Sequence, residues 1–155
     1  MGPPYDEPTA YHEAGHAVVA LALGRPVHQV SILPNRERLG QCAFRKGRFR
    51  PSEDWVEREM LIALGGIAAE ARHTGSYAWE SAGRDWRYVR DLAVQRAGER
   101  RAERLVSRLL AKAEYLLAHE GHWRAVGLIA GELLRRGAIS GRAARHFFEQ
   151  GCAAC

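Results

Sequence analysis

The chain has 155 residues, 46% hydrophobic and 26% charged, with a formal net charge of +5. That is the size of one domain with enough apolar material for a core, which excludes wholesale disorder. The longest uninterrupted apolar run, Ala17 to Leu23, is far too short to span a bilayer, and the opening "MGPPYDEP" lacks a signal-peptide pattern, so a soluble cytoplasmic protein is expected.

The first helix is expected to start near Thr9, a candidate N-cap after Pro8, and to stop at Gly24 ahead of Pro26. "VHQVSIL" (Val27 to Leu33) is rich in β-branched residues and reads as a strand ended by Pro34. "GQCAFR" (Gly40 to Arg45) is its expected partner across the "PNRERL" turn. In "PSEDW", Ser52 is the expected cap of a second helix running to about Arg72, with Glu53 and Asp54 suiting its positive end. "HTGSYAWESAG" reads as a loop, and a third helix is expected from near Asp85 to about Ala97, with Gly98 as a break. "ERRAERLVSRLLAKAEYLLAHEG" and "HWRAVGLIAGELLRRG" read as two more helices, the second stopped by Gly137. Ser140 is the candidate cap of a short last helix through "RAARHFFEQ". The expected fold is mainly α, one domain over 9–150 with a strand pair after the first helix, flanked by tails at 1–8 and 151–155.

Arginine supplies nearly all the positive charge, and the only lysines are Lys46 and Lys112. No recognition motif accompanies that charge, so it reads as a solvated basic surface and nucleic acid is not an expected partner. Cys42 is isolated, and the "CAAC" of Cys152 and Cys155 cannot complete a four-ligand zinc site alone, so it reads as a tail.

The chemistry is concentrated in "AYHEAGHAVVALALG", Ala10 to Gly24. His12, Glu13 and His16 form H-E-x-x-H. On a helix the two histidines share one face about a turn apart, so both imidazoles can reach one Zn²⁺. Glu13 is rotated by about 100° from His12, beside the open position, where it can act as general base. Small residues Ala14, Gly15 and Ala17 let other backbones approach, and the apolar remainder of the stripe suits a buried helix. A catalytic zinc needs a third protein ligand. Asp85, Asp91, Glu70, His73, His119 and His122 are the candidates, and Asp85 stands at a loop-to-helix junction suited to an inward carboxylate. His119 and His122 in "HEGH" read as solvated histidines at a helix terminus rather than a second site.

With these residues in view, the sequence resembles the peptidase domain of FtsH-type ATP-dependent zinc proteases. "HEAGHAVVALALG" followed by "PVHQVSILPNRERLGQCAF" is similar to that family's zinc helix and strand pair, and "LIALGGIAAE" to its second-helix signature. "SAGRDWRYVRDLA" resembles its third-ligand segment and "LLAKAEYLLAHEGHWRAVGLIAGELLRRGAISG" its closing helices. The resemblance implies a zincin-like helical domain with one Zn²⁺ held by His12, His16 and Asp85. Ser81, Trp86 and Arg90 depart from the pattern, and the chain is shorter than the pattern between Ala97 and Leu109. No G-x-x-x-x-G-K-[ST] phosphate loop is present, so the expectation is an ATP-independent peptidase.

The chemistry expected is metal-assisted peptide hydrolysis with Glu13 as general base. Glu70 reads either as a surface glutamate or, if the second helix packs on the first, as a hydrogen-bonding support of the site. Substrate is expected to add as an extended strand along the edge at Gly40, Gln41 and Cys42. Expected partners are unfolded polypeptide or peptide, a separate ATPase or adaptor, and further copies of the chain. The rival reading is a silent binding or regulatory module that keeps the zinc site.

Overall fold

The computed structural model describes residues 6–34, 41–44, 54–78 and 83–153. Helix α1 spans Glu7–Ala22. Its cap is Asp6 rather than Thr9: the Asp6 carboxylate accepts the Thr9 amide at 3.0 Å and the Thr9 hydroxyl at 2.6 Å. A carboxylate satisfies an orphan amide and favours the positive helix end, so it outcompetes the hydroxyl. Every residue from His12 to Ala20 is buried, which makes α1 a central helix rather than an amphipathic surface one.

Strand β1 (Val27–Ser31) pairs antiparallel with β2 (Gln41–Phe44), setting Val30 opposite Cys42, with an irregularity between Val27 and Gln29. The predicted strand pair is therefore present, with β1 ending at Ser31 rather than Leu33 and the expected ends of β2, Gly40 and Arg45, outside the described residues. A third strand, β3 (Ala138–Ser140), pairs with the other side of β1, giving the order β2-β1-β3. Three residues after Gly137 carry no readable period; only the neighbouring β1 makes them a strand.

Helix α2 (Trp55–Thr74) is capped by Asp54, which accepts the Glu57 amide at 3.0 Å. The expected cap, Ser52, lies outside the described residues. At the other end Gly75 adopts φ 93°, a left-handed turn that favours glycine, and its N–H returns to the Ala71 carbonyl. Helices α3 (Gly83–Ala97) and α4 (Glu99–Ala118) form a hairpin about Gly98. Helix α5 (Glu120–Arg136) follows, and α6 (Gly141–Ala153) ends the described chain. Ser140 caps α6 as expected, accepting the Ala143 amide at 3.1 Å. The helix runs past Gln150 and takes in Cys152, which the sequence alone leaves in a tail.

The core lies between α1, α2, α4 and α5, with Val18, Met60, Leu64, Leu109, Leu117, Ile129 and Leu133 fully buried. Each such large side chain contributes about 1.5–3 kcal/mol by leaving water. The crossing of α1 on α2 is unusually close. A Cβ on Gly65 would lie 2.6 Å from a Val19 methyl, and one on Gly15 would strike the Gly65 carbonyl. Only glycines permit that approach, and it sets how far α2 stands from the histidine face of α1. No helix of the described residues is long and apolar enough to cross a membrane.

Candidate metal centre

The i, i+4 spacing on α1 sets the His12 and His16 rings edge to face, 4.7 Å between centroids. Both are buried among the α2 residues behind them. His16 Nδ1 lies 2.8 Å from the Ile62 carbonyl. A carbonyl only accepts, so Nδ1 carries the hydrogen and Nε2 presents a lone pair. His12 Nδ1 lies 3.2 Å from Glu70 Oε1, a carboxylate that accepts in the same way. Glu70 is thus a buried partner of the site and not a surface glutamate.

The first turn of α3 brings Asp85 across from α1. Its Oδ2 lies 2.6 Å from His12 Nε2 and 3.1 Å from His16 Nε2. Glu13 is buried beside them, with Oε1 3.9 Å from His16 Nε2. Ligand atoms of His12, Glu13 and His16 all lie within 4.8 Å of one another.

Two imidazole Nε2 atoms and one carboxylate oxygen converging on one point are a donor set that zinc accepts. Both distal ring nitrogens are already engaged, as metal-binding histidines require. The electrostatics agree. Burial opposes charge on His12, yet hydrogen bonds to Asp85 and Glu70, with the Glu13 charge, raise its pKa to about 10. Burial likewise opposes charge on His16, and the Asp85 carboxylate raises it. Burial alone would raise Asp85; His16 and His12 instead hold its carboxyl well below the usual carboxylate range. The cluster is therefore built to hold positive charge, and a divalent cation can replace the proton that His12 otherwise keeps.

The other third-ligand candidates are engaged or displaced. His73 stacks on Tyr11 at 3.6 Å and its Nε2 lies 2.7 Å from Glu7. Asp91 is exposed further along α3. His119 and His122 sit at the α4–α5 junction, where His122 Nδ1 donates to the Leu116 carbonyl. Gln41 and Cys42 lie on β2, and Gly40 lies outside the described residues. Burial, then the Glu13 charge, pushes the Cys42 thiol well above its ordinary value, so it remains protonated.

Reading the sequence residue by residue missed two parts of the site. One is the Ile62 carbonyl, which has no side-chain signal. The other is Gly66: a Cβ there would lie 2.6 Å from both His16 ring nitrogens. The Gly65–Gly66 pair in a helix was the available signal, since glycine is costly there without a packing reason.

The family model for peptidase family M41 matches residues 5–99. The chain belongs to peptidase family M41. Relatives include the ATP-dependent zinc metalloprotease FtsH 4 of Sorangium cellulosum, 38% identical over 90 residues, 55% of this chain and 14% of the relative. The ATP-dependent zinc metalloprotease FtsH of Magnetococcus marinus is 46% identical over 67 residues, 40% of this chain and 10% of its own length. FtsH 3 of Symbiobacterium thermophilum, of the same description, is 42% identical over 66 residues, again 40% and 10%. This M41 chain therefore matches only a tenth to a seventh of those relatives' length. The candidate centre falls inside the family match, whereas most of α4 and all of α5 and α6 lie beyond it.

Proposed function

We propose that this M41 chain is a zinc-dependent metalloendopeptidase that hydrolyses unfolded or flexible polypeptides. The observation that carries this reading is the convergence of His12 Nε2 and His16 Nε2 on Asp85 Oδ2, with Glu13 beside them. His12, His16 and Asp85 would hold one Zn²⁺. When bound, zinc supplies Lewis acidity toward the scissile carbonyl and makes water a nucleophile near neutral pH. Glu13 accepts the proton of the attacking water and returns it to the leaving amine. Glu70 and the Ile62 carbonyl fix the His12 and His16 rings so that both Nε2 atoms face inward.

Substrate would lie along β2, whose pairing among the described residues is with β1 alone. Main-chain hydrogen bonds to such an edge select extended chain and little sequence, which fits unfolded substrates. The relatives are named ATP-dependent, and these 155 residues contain no phosphate loop. Delivery would fall to a separate ATPase or adaptor, and further copies of the chain belong to the same proposal.

The test is zinc content and cleavage of several unfolded proteins by the wild type and by Glu13→Gln. One zinc per chain in both is expected, with cleavage lowered by about 10²–10⁴-fold in the variant. Wild type that holds zinc yet cleaves no faster than Glu13→Gln would instead identify a silent binding or regulatory module.

A further inference from the structure

The edge strand β2 is the proposed substrate site, and the role of Arg25 rests on that reading. The pairing of β2 with β1 is irregular between Val27 and Gln29. Phe44, opposite Val27, therefore lies beyond the irregularity. Cys42 and Phe44 alternate inward and pack against the core. Strand β2 packs against α1, the helix that carries Glu13. The height of β2 above α1 thus sets where a strand added to β2 would run relative to Glu13.

One side chain ties the Phe44 end down. Arg25, in the turn after α1, lays its guanidinium over the Phe44 ring, 4.6 Å from the centroid. The same guanidinium pairs with Glu59 on α2, whose side chain is 9% exposed against 20% for Arg25. A carboxylate buried that far is costly unless paired, so the contact is not a loose surface ion pair. The planar guanidinium offers its face to the ring and its N–H groups to the carboxylate together, which a lysine ammonium cannot do. Three elements remote in sequence are joined at one cation: the α1–β1 turn, β2 and α2.

We infer that Arg25, held by Glu59 and stacked on Phe44, is a positioning residue that fixes the substrate-bearing strand β2 over Glu13. Loosening this clamp displaces bound substrate without touching the groups that hold zinc. Misplacement by about 1 Å is enough to impair reaction at a site of this kind.

The test uses the full, zinc-loaded chain and a fluorescein-labelled casein peptide. Binding is read by anisotropy in a Glu13→Gln background, and KM and kcat are read without that change. Phe44→Leu removes the ring and keeps apolar volume; the pair Arg25→Gln with Glu59→Gln removes the clamp without orphaning a buried charge. Each is expected to keep one zinc per chain and to raise Kd and KM about three- to tenfold, more than kcat falls. Combining all three changes is expected to weaken binding no further than within about twofold of the worse parent, because one interaction is being removed. Arg25→Lys is expected to reproduce the loss, although it keeps the charge. The clamp is overturned if Kd stays within twofold in both variants, or if their effects multiply. Absence of peptide binding in the Glu13→Gln parent overturns both the edge site and the clamp. If wild type does not cleave yet the Kd pattern holds, hydrolysis fails and the clamp stands.

Discussion

Asp85 Oδ2 faces the Nε2 atoms of two histidines at once, and that sharing makes metal and proton rivals. With the His12 pKa raised to about 10, the metal-free protein carries a proton at pH 7 that zinc must displace. Zinc affinity is then expected to fall about tenfold for each unit that pH is lowered below neutrality. Calorimetry in buffers of different ionisation enthalpy should register about one proton released per zinc; no release at pH 7 would contradict the arrangement. The sign for stability follows from the same shift. A folded pKa above the ordinary 6.5 stabilises the metal-free fold fully below about 6.5, and that contribution is lost as pH rises toward about 10. Thermal denaturation of the chelated protein should therefore shift to lower temperature between pH 7 and 10.

Two aspartates six positions apart on α3 make a second comparison at this scale. Asp85 meets both histidines, whereas Asp91 is exposed. Asp85→Ala is expected to weaken zinc binding by at least about 100-fold, and Glu70→Gln by about tenfold, while Asp91→Ala leaves it unchanged. Competition against a chromophoric chelator measures all three. Equal affinity in Asp85→Ala and wild type would remove Asp85 from the site.

At the scale of elements, the α1–α2 crossing gives the site its depth. Gly66→Ala forces a methyl into the space of the His16 ring, and α2 must move away from α1 to admit it. The expected cost is about 1–3 kcal/mol in urea unfolding, with weakened zinc binding. Gly131→Ala in α5 is the control, since a Cβ there meets nothing within 4 Å. Removing a helical glycine without a clash should stabilise by about 0.5–1 kcal/mol. The LGG of α2 was legible as a signature, but why it needs two glycines was not. The first faces Val19 and the second His16, and both partners lie on another helix.

For the whole molecule, the family match ends at residue 99 while the core continues. Leu109, Leu117, Ile129 and Leu133 are fully buried, and β3 covers the side of β1 away from β2. A fragment of residues 1–99 would expose the surfaces of α1 and α2 that α4 and α5 cover. It is expected to show no cooperative thermal transition by circular dichroism, even with zinc. A cooperative transition in that fragment would show that the later helices are dispensable.

Features set by neighbours in sequence were readable from the sequence by itself. Helical spacing placed His12 and His16 on one face, glycines marked the helix ends, and β-branched residues marked β1. A loop-to-helix junction favoured Asp85 among six candidates and likeness to a family singled it out, but nothing local showed that it meets both histidines. Tertiary structure decided what depends on atoms far apart in the chain. His12 and Asp85 are 73 positions apart, and His16 and the Ile62 carbonyl are 46 apart. The same holds for β3, which is a strand only beside β1, and for Arg25, whose partners lie on β2 and α2. Periodicity and capping act within a turn or two of backbone, whereas a ligand set is a convergence of side chains, and only packing brings those together.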